Sequence, residues 1–155
     1  MFSYRHAFHA GNHADVLKHT TLIATLQYLT QKDAGLTLID THAGAGLYRL
    51  DSDFSETGGE ARDGIFKLMT DQRPASPDAS NKTARPSTER SDSAMKVDTS
   101  AIQDYLDLIT GFNPDGRLRV YPGSPFVMHS LLRTEARDKL KLFELHPTDS
   151  KVLAA

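Results

Sequence analysis

The chain contains no cysteine. That excludes disulfides, thiolate nucleophiles and Cys-ligated zinc, and it suits a reducing compartment. No apolar run approaches the roughly 20 residues a membrane-spanning helix needs. The opening stretch MFSYRHAFHAGNHAD has no apolar core of the kind a signal peptide carries. There is no excess of positive charge either, because the formal net charge is −2. Any affinity for nucleic acid must therefore come from a local patch. A soluble, cytoplasmic protein is expected. What is present is ordinary: 155 residues, 39% hydrophobic and 25% charged, enough for one domain with its own core.

Apolar spacing over Asp15–Thr30 predicts a helix, with Val16, Leu17, Thr20, Ile23, Ala24 and Leu26–Leu29 as a broad face. Asn12 or Asp15 is placed to cap it. Leu36–Ile39, bounded by Gly35 and Asp40, reads as a short buried strand, parallel in type, ending in a tight turn at Gly44 and Gly46. Residues 56–69 suit a second helix. From Asp71 to Ser100 the chain carries three prolines, many serines and threonines, and five basic residues balanced by five acidic ones. Such a stretch buries too little to offset ordering entropy and is expected to be disordered. Helix is predicted again over Ala101–Ile109 and a turn at Asn113–Gly116. A strand follows at Leu118–Tyr121, then a helix over Phe126–Thr134 and a strand over Leu140–Leu145. This alternation points to an α/β doubly wound sheet, which binds ligands beyond the carboxyl ends of its strands.

Four constellations carry chemistry. Asp40-Thr41-His42-Ala43-Gly44-Ala45-Gly46 follows the first strand; its glycines let backbone approach a ligand. It is neither a full G-x-G-x-x-G, since Arg49 stands where the third glycine would be, nor a P-loop. An acid before such a turn can meet a cationic amino group; the same residues also suit a plain strand-to-helix turn. Glu144, near the end of the last predicted strand, can accept two ribose hydroxyls or remain a solvated acid. The third is N-terminal: Tyr4, His6, His9, His13, Lys18 and His19, in a chain whose first 42 residues hold five of its seven histidines. A metal pair at His9 and His13 needs a helix between them, which Gly11-Asn12 disfavours, and no H-E-x-x-H pattern exists. A polar surface able to contact phosphate, ribose or base is the other reading, beside simple exposed polarity. Last, Tyr121-Pro122-Gly123-Ser124-Pro125 is rigid and offers a hydroxyl and a helix cap.

Together, Ser3-Tyr4-Arg5-His6, the string His9 to His19, Asp40 to Gly46, Tyr121 to Pro125 and Glu144-Leu145-His146-Pro147 resemble the RlmJ-type adenine-N6 methyltransferases of large-subunit ribosomal RNA. The resemblance covers nearly the whole chain outside 71–100. It implies a Rossmann-like S-adenosylmethionine-dependent fold with a helical subdomain inserted after the first strand. On that basis residues 1–50 hold the N-terminal tail, first helix and first strand, 51–117 the inserted subdomain, and 118–155 the return to the sheet. It implies methyl transfer to an adenine N6 of 23S ribosomal RNA, with no metal and as a monomer. His19, His42, Ser124 and Glu144 would bind the cofactor, and Asp40, Gly44 and Gly46 would shape its pocket. Tyr4 and His6 would approach the target adenine, with Lys18 in support.

Members of that family continue into an Asp-Pro-Pro-Tyr motif that holds the flipped base. This sequence has no Pro-Pro pair, so it is expected to be the N-terminal portion of such an enzyme, with no catalytic residue assigned within it. A noncatalytic RNA-binding or cofactor-binding role is the alternative. A His-rich metallohydrolase is a more remote one.

Overall fold

The computed structural model describes residues 6–51, 59–71 and 99–155. Tyr4, the first residues of the predicted helix 56–69 and nearly all of the 71–100 stretch lie outside these residues.

A single turn of 3₁₀ helix, His6–Phe8, leads to Gly11 and then to α1, His13–Leu29. Asn12 is the cap: its backbone is extended and its side-chain oxygen accepts from the Asp15 amide at 2.9 Å. The residues buried along α1 are Asp15, His19, Ile23 and Leu26, one stripe at helical spacing. This corrects the predicted apolar face. Leu17 is 70% exposed and Tyr28 66%, so the inward stripe is half polar.

The far end of α1 has no basic residue of its own. Arg133 supplies one from a distance, donating to the carbonyls of Thr30 (2.7 Å), Lys32 (2.5 Å) and Ala34 (3.0 Å). Charge and hydrogen bonds thus satisfy the C-cap carbonyl of Thr30 and two carbonyls of the segment that follows the helix. Arg133 is held in turn by Asp138, which also accepts from the Leu36 amide at 2.8 Å. One ion pair so fixes the entry into β1, Thr37–Asp40, against β4, Lys139–Leu142.

β1 and β4 pair in parallel with Thr37 opposite Lys139 and Asp40 opposite Leu142. The ladder continues past both strands, because Phe143 N donates to Asp40 O and Ala43 N to Phe143 O. Two more strands, β2 (Leu47–Arg49) and β3 (Val120–Pro122), pair antiparallel with Tyr48 opposite Tyr121. β2 was not expected. The strand predicted at Leu118–Tyr121 therefore pairs antiparallel with β2, and not within a parallel sheet; among the described residues the fold is mixed α/β with two two-stranded sheets. β1 is also less buried than its sequence suggests: Ile39 is 57% exposed, as no described element covers that side of the pair.

The core lies elsewhere, between α1, α3 (Ser100–Gly111), the β2/β3 pair and the segment 61–66. Its fully buried members include Ile23, Ile65, Tyr105, Ile109, Tyr121 and Val127. Buried Asn113 organises the turn after α3, its amide donating to Ile109 O and Val120 O while its oxygen takes the amides of Arg119 and Val120. The helix expected over 126–134 is α4, Ser124–Ser130. Pro125 favours its early start, and it ends before Arg133, which is committed to α1 and Asp138. Pro147–Leu153 forms an unexpected last helix, α5, capped by His146.

Residues Arg62–Phe66 wind as a π-turn before the short helix α2, Lys67–Asp71. Gly64 leaves helical geometry there because the backbone of Gly11-Asn12 crosses it: a Cβ at Gly64 would lie 2.1 Å from Gly11 O. Ile65 N donates to that same oxygen at 2.9 Å. Gly64→Ala is expected to lower stability by about 3 kcal/mol, at the upper end for overpacking, since the Cβ meets backbone. Gly111→Ala, at a helical glycine with open space around it, is expected to be neutral or stabilising by up to about 1 kcal/mol. Urea unfolding of both variants checks the pair.

Candidate functional site

β1 and β4 run parallel, so their carboxyl ends open on the same side. A cleft of about 580 Å³ lies there, within the size range of small-molecule sites. Its walls come from the N-terminal turn and α1 (His6, Asp15, Lys18, His19), the loop after β1 (Thr41 to Gly44), Tyr48, Gly123-Ser124, and the segment after β4 (Glu144 to His146, with Asp149).

The loop after β1 is drawn tight by carboxylates. Asp40 accepts from Ser124 Oγ at 2.6 Å and from the His42 amide at 3.0 Å, joining β1 to the start of α4. Glu144 accepts from Gly44 N at 2.7 Å with one oxygen and from His146 N at 2.6 Å with the other. Burial acts to raise the Glu144 carboxyl, but the amides of His146 and Gly44 outweigh it and hold it below its ordinary value. Gly44 has φ +62°, and a Cβ there would strike the Tyr48 hydroxyl at 2.1 Å. The Tyr48 hydroxyl accepts from Ala45 N, and burial pushes the phenol up to about 12.

The opposite wall is organised by Asp15, which is wholly buried. Its Oδ2 accepts from His6 Nε2 at 2.9 Å and from Gly11 N at 3.1 Å; its Oδ1 lies 2.8 Å from Lys18 Nζ. Burial alone would raise this carboxyl, yet His6 and Lys18 hold it well below the usual range. The His6 ring also meets Tyr48 edge-on, centroids 5.1 Å apart. One turn along α1, His19 is buried, stacks on Tyr121 and bonds Tyr121 Oη through Nδ1 at 3.0 Å. Burial lowers its pKa to about 4, against the opposing pull of Asp15.

An acid-and-glycine turn, a strand-end acid and a basic N-terminal wall thus meet at one parallel strand pair. The family profile described as ribosomal RNA large subunit methyltransferase D, RlmJ, matches residues 33–84 and 90–155. The chain belongs to the RlmJ family. It is 41% identical over 154 residues to ribosomal RNA large subunit methyltransferase J of Escherichia coli (strain K12), covering 99% of this chain and 45% of that protein. It is 40% identical to the protein of the same name from Haemophilus influenzae (strain Rd), again over 99% of this chain and 46% of that one. A crystal structure of a Legionella pneumophila protein superposes with a TM-score of 0.69 at 34% identity, over 94% of this chain and 43% of that one. The chain spans a little under half the length of these relatives.

Of the residues that the RlmJ resemblance singles out, His6, Lys18, His19, His42, Gly44, Ser124 and Glu144 line the cleft. Asp40 and Gly46 stand behind its wall. Asp40 holds Ser124, while the Gly46 carbonyl takes the Gly123 amide at 2.7 Å. Tyr4 lies outside the described residues. Sequence reasoning did not single out Asp15, Tyr48, His146 or Asp149 for the cleft. Asp15 left a readable signal: it precedes His19, Ile23 and Leu26 on the inward stripe, and a charge there needs a partner.

His19 gives the stability a specific acid dependence. Between its ordinary 6.5 and about 4, the unfolded chain binds a proton that the folded chain refuses. Stability therefore falls as pH drops through that window, by about 3 kcal/mol from this residue. The depressed Asp15 carboxyl acts only below its ordinary 3.8. Urea unfolding at pH 7.5 and 4.5 is expected to show a smaller difference between the two pH values in His19→Gln than in the parent.

Proposed function

We propose that this chain forms the S-adenosylmethionine pocket of an adenine-N6 methyltransferase acting on 23S ribosomal RNA in the cytoplasm, as a monomer and without a metal ion. The observation that carries the reading is the joint placement of Asp40, Gly44, Ser124 and Glu144 around one cleft beyond a parallel strand pair. The donor set suits the group. Each Glu144 oxygen takes one backbone amide and keeps acceptor capacity for a ribose hydroxyl. Gly44 leaves backbone bare where a side chain would intrude.

Bound S-adenosylmethionine supplies a methyl group already activated on a sulfonium. His19, His42, Ser124 and Glu144 hold it, and Asp40 and Gly46 keep the wall in place. Lys18, paired with Asp15, presents a cation toward an RNA target at the cleft mouth beside the His6 ring, and the family resemblance assigns Tyr4 to the same target. Their role is alignment of the nucleotide. Cofactor or RNA binding without turnover is the second reading for this chain.

Calorimetric titration with S-adenosylmethionine, beside a circular dichroism spectrum, tests the pocket. Saturable binding is expected, weakened at least about tenfold by Glu144→Ala, which removes a charged acceptor. A folded chain that binds none would sink the reading. Methyl transfer to unmodified 23S ribosomal RNA separates the two roles: RNA binding without transfer supports the noncatalytic one.

A further inference from the structure

Behind the cleft, three polar side chains form a line through the core. Tyr105 Oη lies 3.1 Å from Tyr121 Oη, which lies 3.0 Å from His19 Nδ1. Tyr105 and Tyr121 are both completely buried. Burial pushes both phenols up, so each keeps its proton. The line therefore holds one hydrogen on each tyrosine and one on the neutral His19 ring.

Counting donors and acceptors leaves three arrangements. In the first, His19 Nδ1–H donates to Tyr121, Tyr121 donates to Tyr105, and the Tyr105 hydrogen has no acceptor among the described residues; in the third, His19 and Tyr105 both donate to Tyr121, whose own hydrogen then has none there. In the second, Tyr105 donates to Tyr121, Tyr121 donates to His19 Nδ1, and every buried donor is satisfied. Buried polar groups are almost always paired, so the second arrangement holds. The remaining ring hydrogen is then on Nε2. That atom has no protein partner among the described residues, yet it is not among their sealed, unpartnered polar atoms. His19 itself lines the cleft.

We infer that Tyr121, backed by Tyr105, is a positioning residue that locks His19 in its Nε2–H tautomer, so that the cleft offers a neutral donor at this point. Such a donor selects a hydrogen-bond acceptor on the ligand, a carboxylate or carbonyl oxygen or a ring nitrogen, and rejects an ammonium or amide N–H there. The tautomer itself is independent of what binds; only the identity of the ligand rests on the cofactor reading above.

Long-range ¹H–¹⁵N correlation spectra of the imidazoles test this at pH 7.5, with His19 assigned by its loss in His19→Gln. The parent and Tyr105→Phe are both expected to show the Nε2–H pattern, since Tyr121 still donates when Tyr105 is shortened. Tyr121→Phe is expected to move the His19 Nδ1 resonance to that of an unbonded ring nitrogen, with the Nδ1–H form now populated, and to weaken S-adenosylmethionine binding about tenfold. An Nδ1–H or doubly protonated His19 in the parent or in Tyr105→Phe would overturn the inference, as would an unchanged spectrum in Tyr121→Phe. Should Tyr121→Phe fail to fold, the parent and Tyr105→Phe spectra decide. An Nε2–H pattern in a chain that binds no S-adenosylmethionine would uphold the tautomer and remove the cofactor reading instead.

Discussion

The carboxylate of Asp15 is the constraint on which the cleft depends. A charge taken wholly out of water is tolerable only when its oxygens are filled. Here Oδ2 takes His6 and Gly11 N from the N-terminal turn, and Oδ1 pairs with the Lys18 ammonium one turn along the helix. The same bonds draw the N-terminal turn onto α1. Gly11 then presents its carbonyl to Ile65, and the crossing at Gly64 follows. The basic wall of the cleft and the packing of the segment 61–66 thus share one cause.

The two walls of the cleft use one device with different groups. On the strand side, Asp40 and Glu144 bind backbone amides and a serine hydroxyl. On the helix side, Asp15 binds a cation and an imidazole. Negative charge is in both cases spent on rigidity, while donors such as His19 are left to face the cleft. The cationic Lys18, whose side chain is largely exposed, remains at the mouth, where a polyanion would arrive. The overall charge of −2 therefore says little about this face.

Much of the fold was legible because its signals are local. The α1 spacing, the short apolar strand before Asp40, the Asn113–Gly116 turn and the strand before Glu144 all stand close to their predicted places. The partner of each strand was not legible. Leu47–Arg49 has no alternation long enough to declare a strand, and it exists because Tyr121 and Val120 lie opposite it. The inward face of α1 was misread because two of its buried residues are polar: Asp15 is satisfied by His6, Gly11 and Lys18 nearby, and His19 by Tyr121, 102 residues away. For the site, residue identity pointed to Ser124, Glu144 and the glycine turn. The contributions of Tyr48, His146 and Asp149 arise only from chain reversal after β1 and β4.

The grip of Arg133 on the carbonyls just beyond α1 has a consequence for how this helix can change over time. With Asp15 anchoring one end and Arg133 held just beyond the other, the rotation of α1 about its axis is set by its tips together with buried Ile23 and Leu26, not by a broad apolar face. Natural drift along its outer surface is then nearly unconstrained by folding. Leu17 and Tyr28 can be exchanged for polar residues, or kept, without turning His19 away from the cleft. A helix oriented by its ends has a silent exterior, on which new contacts can be acquired or discarded while the interior stays in register.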